Sequence, residues 1–145
     1  GLLASTGYSQ VNVIRKPKIS ILATGNELIE PTSEHSLGKT YDSNSYSLTA
    51  SVISSGAIAN PLGIATDDME SIGKKLKEGL KSDMIISSAG VSKGDYDMVK
   101  DVLMKYGKID FWSVKMRPAK PIAFGILKND RIVQVDFPLH SKNLK

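Results

Sequence analysis

The chain has 145 residues, of which 41% are hydrophobic and 23% charged, and this composition is typical of one globular domain and unlike a disordered chain. The net charge of +4 and the aromatic content of 6% argue against a basic, aromatic nucleic-acid-binding surface. Cysteine is absent, which excludes disulfides and thiolate metal ligands and fits a cytoplasmic protein. No apolar run reaches the length of a membrane span, about 20 residues.

The chain opens on Gly1–Gly7, which resembles the end of a helix that glycine stops. We therefore expect residues 1–16 to be a helix remnant and lead-in from a preceding segment, and residues 17–145 to form the domain. Aliphatic residues over 18–23 predict the first strand, and Thr24-Gly-Asn26 predicts the turn after it.

The next segment, 30–40, is polar and contains proline and glycine, so a loop is expected. Asp42 and Ser43 are favoured N-cap residues before an apolar helical face, and Gly56 is a typical helix stop. The β-type residues over 57–64 predict a second strand.

Asp67 is expected to cap a second main helix, whose apolar residues recur every three or four positions. A short buried strand is predicted over 83–87, and a third helix over 98–106. Three β-type runs follow, over 109–114, 122–127 and 132–135, with a hairpin turn between the last two. Strands alternating with helices predict a parallel sheet covered by helices on both faces, with an antiparallel hairpin at the C-terminal end.

Ligands of such sheets bind at the carboxyl ends of the strands. This rule selects three segments, Thr24–Glu27, Ala65–Asp68 and Ser87–Asp97, and all three contain polar and acidic residues. Glu27, Asp67 and Asp97 are therefore expected at one edge of the sheet, although each alone is also explained as a helix cap or a surface charge. Oxygen ligands of this kind suit Mg²⁺, which also contacts substrate phosphates.

The segment Ser87–Asp97 joins a strand to a helix and is rich in small residues. Gly90 and Gly94 permit close approach of a ligand, Ser88 and Ser92 offer hydroxyls, and backbone N–H groups before a helix form an anion site. The segment matches neither a Walker A loop nor a G-x-G-x-x-G fingerprint, so a purely structural turn is an equal alternative.

Cations and prolines alternate in Lys115–Pro121, where Arg117 and Lys120 could hold an oxyanion. A strand edge protected by proline and lysine is the alternative explanation of this segment.

Five motifs occur in order along the chain. They are Thr24-Gly-Asn-Glu-Leu28, Tyr41-Asp-Ser-Asn-Ser-Tyr46, Gly63-Ile-Ala-Thr-Asp-Asp68, Ser87-Ser-Ala-Gly-Val-Ser-Lys-Gly-Asp-Tyr-Asp97 and Met116-Arg-Pro-Ala-Lys-Pro121. In this order they resemble the molybdopterin-binding domain of the molybdopterin molybdenumtransferases, the MoeA family, which includes the gephyrin E domain. The resemblance runs from the first residue to about Ile126.

The resemblance implies a three-layer α/β/α fold shared with the MogA and MoaB adenylyltransferases. It implies a cytoplasmic, homo-oligomeric enzyme of molybdenum cofactor biosynthesis that binds adenylylated molybdopterin, inserts molybdate and releases AMP with Mg²⁺. Implied partners are a MogA/MoaB-type adenylyltransferase and other cofactor-biosynthesis proteins, with no nucleic acid and no membrane.

The resemblance also assigns site residues. Glu27, Asp67 and Asp97 match catalytic and metal-binding positions. The matching cofactor-binding positions are Thr24, Gly25, Asp42, Ser43, Asn44, Ser88, Gly90, Val91, Ser92, Gly94, Asp95, Arg117, Pro118 and Lys120.

Several positions depart from the family pattern. The family usually has Asp at Asn26 and Gly at Ala89 and Ala119, and it closes its site with Gly-Leu-Pro-Gly-Asn-Pro where this chain has Val135–His140. Two alternatives therefore stand beside the insertase: a MogA/MoaB-type adenylyltransferase, and a non-catalytic molybdopterin-binding or scaffold module.

Overall fold

The computed structural model describes residues 1–88, 104–105, 107–113, 121–127 and 131–136, and part of the C-terminal strands is described by backbone alone. The strands are β1 Lys18–Thr24, β2 Leu28–Ile29, β3 Thr40–Tyr41, β4 Ile58–Ala65, β5 Met84–Ser88, β6 Gly107–Ser113, β7 Pro121–Leu127 and β8 Arg131–Asp136. The helices are α1 Leu2–Ser5, α2 Asn44–Ser54 and α3 Met69–Gly79.

Six strands form one sheet in the order β4-β1-β5-β8-β7-β6. The pairs β1–β4, β1–β5 and β5–β8 are parallel, whereas β7 is antiparallel to both β8 and β6. The sheet is therefore mostly parallel with an antiparallel member at its C-terminal end, and this part of the prediction is confirmed.

Strand β1 lies at the centre of the described core. Ile21, Leu22 and Ala23 have no solvent exposure, because β4 and β5 pair with β1 on either side and helices cover both faces. A run of consecutive apolar residues is typical of a parallel strand buried on both faces.

Helices α2 and α3 pack on opposite faces of the sheet. A Cβ at Gly79 of α3 would lie 2.9 Å from Ile85 Cδ1 and 3.2 Å from Leu62 Cδ1, so α3 contacts β5 and β4 closely. Helix α2 instead lines a cavity with Pro61 of β4. The connection from β1 through α2 to β4 and the connection from β4 through α3 to β5 run in opposite directions along the sheet. Because such connections are right-handed, they place α2 and α3 on opposite faces. The result is the expected three-layer α/β/α arrangement.

The predicted elements agree with the structure apart from three details. Strands β2 and β3 form a short parallel pair at either end of the predicted loop, and sequence pattern did not predict them. Helix α3 is capped by Asp68, so the expectation that Asp67 caps it is wrong. The third predicted helix, over 98–106, lies almost entirely outside the described residues.

The N-terminal segment lies on the surface, and all residues of 1–17 are exposed. Its end is fastened to the sheet by Asp83, whose carboxylate accepts hydrogen bonds from both terminal nitrogens of Arg15 at 2.5 Å and from Lys18 N at 2.9 Å. In the described part of the chain, no helix is long and apolar enough to cross a membrane.

Two glycines of α3 test how closely the helix packs on the sheet. Gly73→Ala should raise the free energy of unfolding by about 0.5–1 kcal/mol, because a Cβ there meets nothing within 4 Å and alanine favours helix. Gly79→Ala should lower it, since the added methyl overpacks against Ile85 and Leu62, a change that costs about 1–3 kcal/mol. Urea denaturation of both variants measures the difference, and equal stabilisation of the two would contradict the close packing of α3.

Candidate functional site

The carboxyl ends of three adjacent strands meet at one edge of the sheet. Thr24, the last residue of β1, pairs with Ala65, the last residue of β4, and Ala23 pairs with Ser88 at the end of β5. This register places the starts of the three segments selected from the sequence next to one another.

Two of these loops are joined by reciprocal hydrogen bonds between Asn26 and Asp67. The backbone N–H of Asn26 donates to Asp67 Oδ2 at 2.8 Å, and the backbone N–H of Asp67 donates to Asn26 Oδ1 at 3.1 Å. Lys39 Nζ donates to the carbonyl oxygen of Asn26 at 2.6 Å, so the residue just before β3 also contacts Asn26. We call Asn26, Asp67 and their two bonds the loop clamp.

Three buried oxygen atoms at this edge have no hydrogen-bond partner among the described residues: Thr24 Oγ1, Asp67 Oδ1 and Ser87 Oγ. Thr24 and Ser87 have no solvent exposure at all. Because Ser87 pairs with Leu22, and Leu22 and Thr24 lie on the same side of β1, the two hydroxyls lie on the same face of the sheet. A buried polar atom without a partner costs about 1–3 kcal/mol, so such a group calls for an explanation such as a bound ligand.

The Glu27 carboxylate lies over the backbone of Gly25. An added Cβ at Gly25 would come within 2.6 Å of Glu27 Oε2, and Gly25 has a φ of 149°, which favours glycine. Glycine at this position therefore lets the carboxylate lie directly beside the end of β1.

Asp68 caps α3 and leaves Asp67 free for other contacts. Asp68 Oδ1 accepts a hydrogen bond from Ser71 N at 2.7 Å, and Asp68 Oδ2 accepts from the hydroxyl of Thr66. The Ser71 bond, followed by the Thr66 bond, lowers the pKa of Asp68 from its ordinary value of 3.8.

Asp42 is buried at the start of α2, where its Oδ1 accepts a hydrogen bond from Ser45 N at 3.1 Å. Ser43 is the N-cap by position but makes no side-chain capping bond, and Asn44 is the first helical residue. Asp42 also lines a cavity of about 180 Å³. The other lining residues are Glu30, Ser45, Tyr46, Thr49, Pro61 and Gly63.

The sequence profile described as "probable molybdopterin binding domain" matches residues 20–135. The chain belongs to this molybdopterin-binding domain family. Among curated relatives, the domain is 40% identical over 123 residues to a molybdopterin molybdenumtransferase of Nostoc sp., covering 83% of the chain and 28% of the relative. It is 34% identical over 152 residues to that of Bacillus subtilis, covering 97% and 35%. The chain thus spans about a third of these relatives.

Solved structures agree with this assignment. A molybdopterin biosynthesis MoeA protein from Pyrococcus horikoshii superposes on the domain with a TM-score of 0.79 at 28% identity, over 94% of this chain and 34% of that one. The tungsten cofactor synthesizing protein MoaB from Pyrococcus furiosus, with a TM-score of 0.51 at 15% identity, is similar in fold alone.

The molybdopterin-binding domain brings together part of the predicted site. Within the described ranges, Thr24, Gly25, Glu27, Asp67 and Ser88 lie at or beside the carboxyl edge. No three acidic, histidine or cysteine side chains of those ranges gather into a metal site. The predicted residues outside the described ranges are Gly90, Val91, Ser92, Gly94, Asp95, Asp97, Arg117, Pro118 and Lys120.

Sequence reasoning missed Asn26, Lys39 and Ser87 as individual site residues. Asn26 stands inside a motif that was singled out, yet its partner Asp67 is 41 positions away, and no local pattern reports such a contact. Ser87 lies at the end of a predicted strand and at the start of a selected segment, but only the fold shows that its hydroxyl has no partner among the described residues.

Replacing Asp68 tests the reassigned helix cap through its pH dependence. The pKa of Asp68 is lower in the folded chain, so its carboxylate stabilises the fold above the unfolded value of 3.8, and this contribution is lost as the pH falls through the folded pKa. Asp68→Ala should therefore lower the Tm at neutral pH, with the difference from wild type shrinking below about pH 4. Asp68→Asn, which keeps a neutral cap, should lose less than Asp68→Ala at neutral pH. A Tm difference that stays constant down to pH 2 would contradict the role of the carboxylate.

Proposed function

We propose that this chain is the molybdopterin-binding domain of a molybdopterin molybdenumtransferase and acts in molybdenum cofactor biosynthesis. Molybdopterin, or its adenylylated form, binds at the carboxyl edge formed by β1, β4 and β5. The observation that carries the proposal is the group of three buried, unpartnered oxygens of Thr24, Asp67 and Ser87 at that edge. The family membership supplies the ligand class.

Molybdopterin carries hydrogen-bonding groups that the buried oxygens at the edge could use as partners. A pterin ring presents amine and amide groups that donate and accept hydrogen bonds, and the two hydroxyls can do either. Binding would satisfy oxygens that otherwise remain unpaired in the interior, so the free energy lost in folding is recovered in the complex. The Glu27 carboxylate occupies the space over Gly25. Gly25, Asp42, Ser43 and Asn44 are assigned to the ligand through the family motifs alone.

The phosphates and the molybdate oxyanion are assigned to Ser88 and to residues outside the described ranges. Backbone and hydroxyl groups of Ser88, Gly90, Val91, Ser92, Gly94 and Asp95 would hold the phosphates, since a loop before a helix N-terminus favours anions. Arg117 and Lys120, stiffened by Pro118, would hold molybdate by a guanidinium fork and a point charge.

A Mg²⁺ ion would be held by Glu27, Asp67 and Asp97, of which the structure describes the first two. Carboxylate oxygens are the ligands that Mg²⁺ prefers, and Asp67 Oδ1 is a buried carboxylate oxygen without a partner among the described residues, which fits such an ion. When bound, the ion supplies neutralisation of phosphate charge during molybdate insertion and AMP release. Glu27 and Asp67 themselves fix the position of negative charge at the ends of β1 and β4.

The proposed pathway context follows from the substrate. Adenylylated molybdopterin has to be supplied by an adenylyltransferase of the MogA/MoaB type, which makes such a protein the expected partner. The proposal includes that the parent protein is a homo-oligomer and works in the cytoplasm.

Isothermal titration of the full-length parent protein with molybdopterin, and with its adenylylated form, tests the function. We expect saturable binding, and release of AMP when molybdate and Mg²⁺ are added. Binding without AMP release would indicate the non-catalytic module, and absence of binding by the intact parent would sink the proposal.

A pair of serine variants separates ligand contacts from fold contacts. Ser87→Ala removes a hydroxyl without a partner among the described residues, so it should leave stability unchanged or higher. It should weaken molybdopterin binding about fivefold to tenfold, which corresponds to roughly one hydrogen bond. Ser82→Ala removes a hydroxyl that bonds to Ser20 Oγ at 2.8 Å, so it should lower the free energy of unfolding by about 1 kcal/mol and leave binding unchanged. If both variants behave alike in both assays, the hydroxyl of Ser87 is not a ligand contact.

A further inference from the structure

The loop clamp fixes the orientation of the Asp67 carboxylate. Each residue of the clamp uses its backbone N–H as donor and its side-chain oxygen as acceptor, at 2.8 and 3.1 Å. Two antiparallel bonds between the same pair leave little rotational freedom to either side chain. Asp67 is therefore held by a residue of another loop, 41 positions earlier in the chain.

This orientation leaves one carboxylate oxygen of Asp67 buried and unpaired among the described residues, which an unclamped side chain would avoid by rotating. With Oδ2 accepting from Asn26 N, the second oxygen, Oδ1, is buried and has no partner among the described residues. Asp67 is only part-buried, so rotation of an unclamped side chain would bring Oδ1 to water and remove the penalty. The clamp keeps the oxygen in its unpaired position.

The charges around the clamp favour a cation as the missing partner. Asn26 supplies the acceptor for Asp67 N without adding a negative charge, and the described hydrogen bond of Lys39 Nζ goes to the carbonyl oxygen of Asn26 and not to Asp67. The Glu27 carboxylate lies over Gly25, one residue before the clamp. An anionic oxygen without a donor among the described residues, on a side chain bonded to the residue next to a second carboxylate, is suited to a hard divalent cation.

We propose that Asn26 is a positioning residue that holds Asp67 Oδ1 in place for a divalent cation. The inference rests on the proposed function, since it concerns the same edge, and it adds a residue that touches the metal ligand and not the metal. Partners of this kind orient metal ligands, and their loss typically weakens metal affinity about 10- to 100-fold.

The test uses the parent protein with three variants and Mn²⁺ as the probe. Asn26→Ala removes the acceptor for Asp67 N, Asn26→Asp keeps it, and Asn12→Ala changes an exposed asparagine outside every described element and serves as the control. Amide hydrogen exchange at Asp67 reports on the clamp, and calorimetric titration with Mn²⁺ reports on the cation.

We expect Asn26→Ala to speed exchange of the Asp67 amide about tenfold and to weaken Mn²⁺ binding about tenfold, the low end for a lost partner, because the Asn26 N–H can still bond to Asp67 Oδ2 but without the reciprocal bond. Asn26→Asp should keep the slow exchange and retain or tighten Mn²⁺ binding, because the acceptor remains and a negative charge is added. Asn12→Ala should match wild type in both.

Three results would overturn the inference: unchanged Mn²⁺ affinity in Asn26→Ala, equal loss in Asn26→Ala and Asn26→Asp, or no Mn²⁺ binding by wild type. Molybdopterin titration of the same samples distinguishes failure of this inference from failure of the proposed function. If wild type binds molybdopterin but does not bind Mn²⁺, the positioning role of Asn26 is refuted and the proposed ligand site stands. Wild type that binds neither refutes the ligand site as well.

Discussion

The parallel pairing of β1 with both β4 and β5 is the constraint on which the rest of the described structure depends. Because the three strands run in the same direction in fixed register, their last residues reach one edge together, and the segments that follow them start there. The burial of β1 on both faces makes a slip of register costly, since it would exchange the faces of every side chain in the strand.

The same pairing accounts for the polar interior at the edge. Thr24 and Ser87 lie at or next to the ends of buried strands, so the sheet satisfies their backbones while their hydroxyls have no partner among the described residues. Asp67 follows β4 and is held by the loop clamp across the gap between strand ends. The unpaired oxygens thus lower the free energy of unfolding at the place where ligands of parallel sheets bind. This coincidence connects the architecture to the proposed function.

Sequence alone predicted much of the architecture, for physical reasons that particular elements make clear. The aliphatic run of β1 and the periodic apolar residues of α3 are local patterns. Strand β1 was predicted within one residue of its observed bounds, and α3 was expected where it is found, just after Asp67. The choice between Asp67 and Asp68 as the cap was wrong, because both are favourable N-cap residues and only backbone geometry decides which one faces Ser71 N. The clamp and the unpartnered hydroxyl of Ser87 depend on contacts between distant segments, which no local pattern contains. The residue assignments for ligand and metal come from the family motifs and stay predictions.

The central claim is that molybdopterin binds at the carboxyl edge of β1, β4 and β5. A crystal structure of the parent protein with molybdopterin tests it most directly. The account predicts ligand or metal-bound atoms within hydrogen-bonding or coordination distance of Thr24 Oγ1, Asp67 Oδ1 and Ser87 Oγ. A ligand bound at the opposite edge of the sheet, or in the cavity beside Tyr46, with those three oxygens still unpartnered, would contradict it.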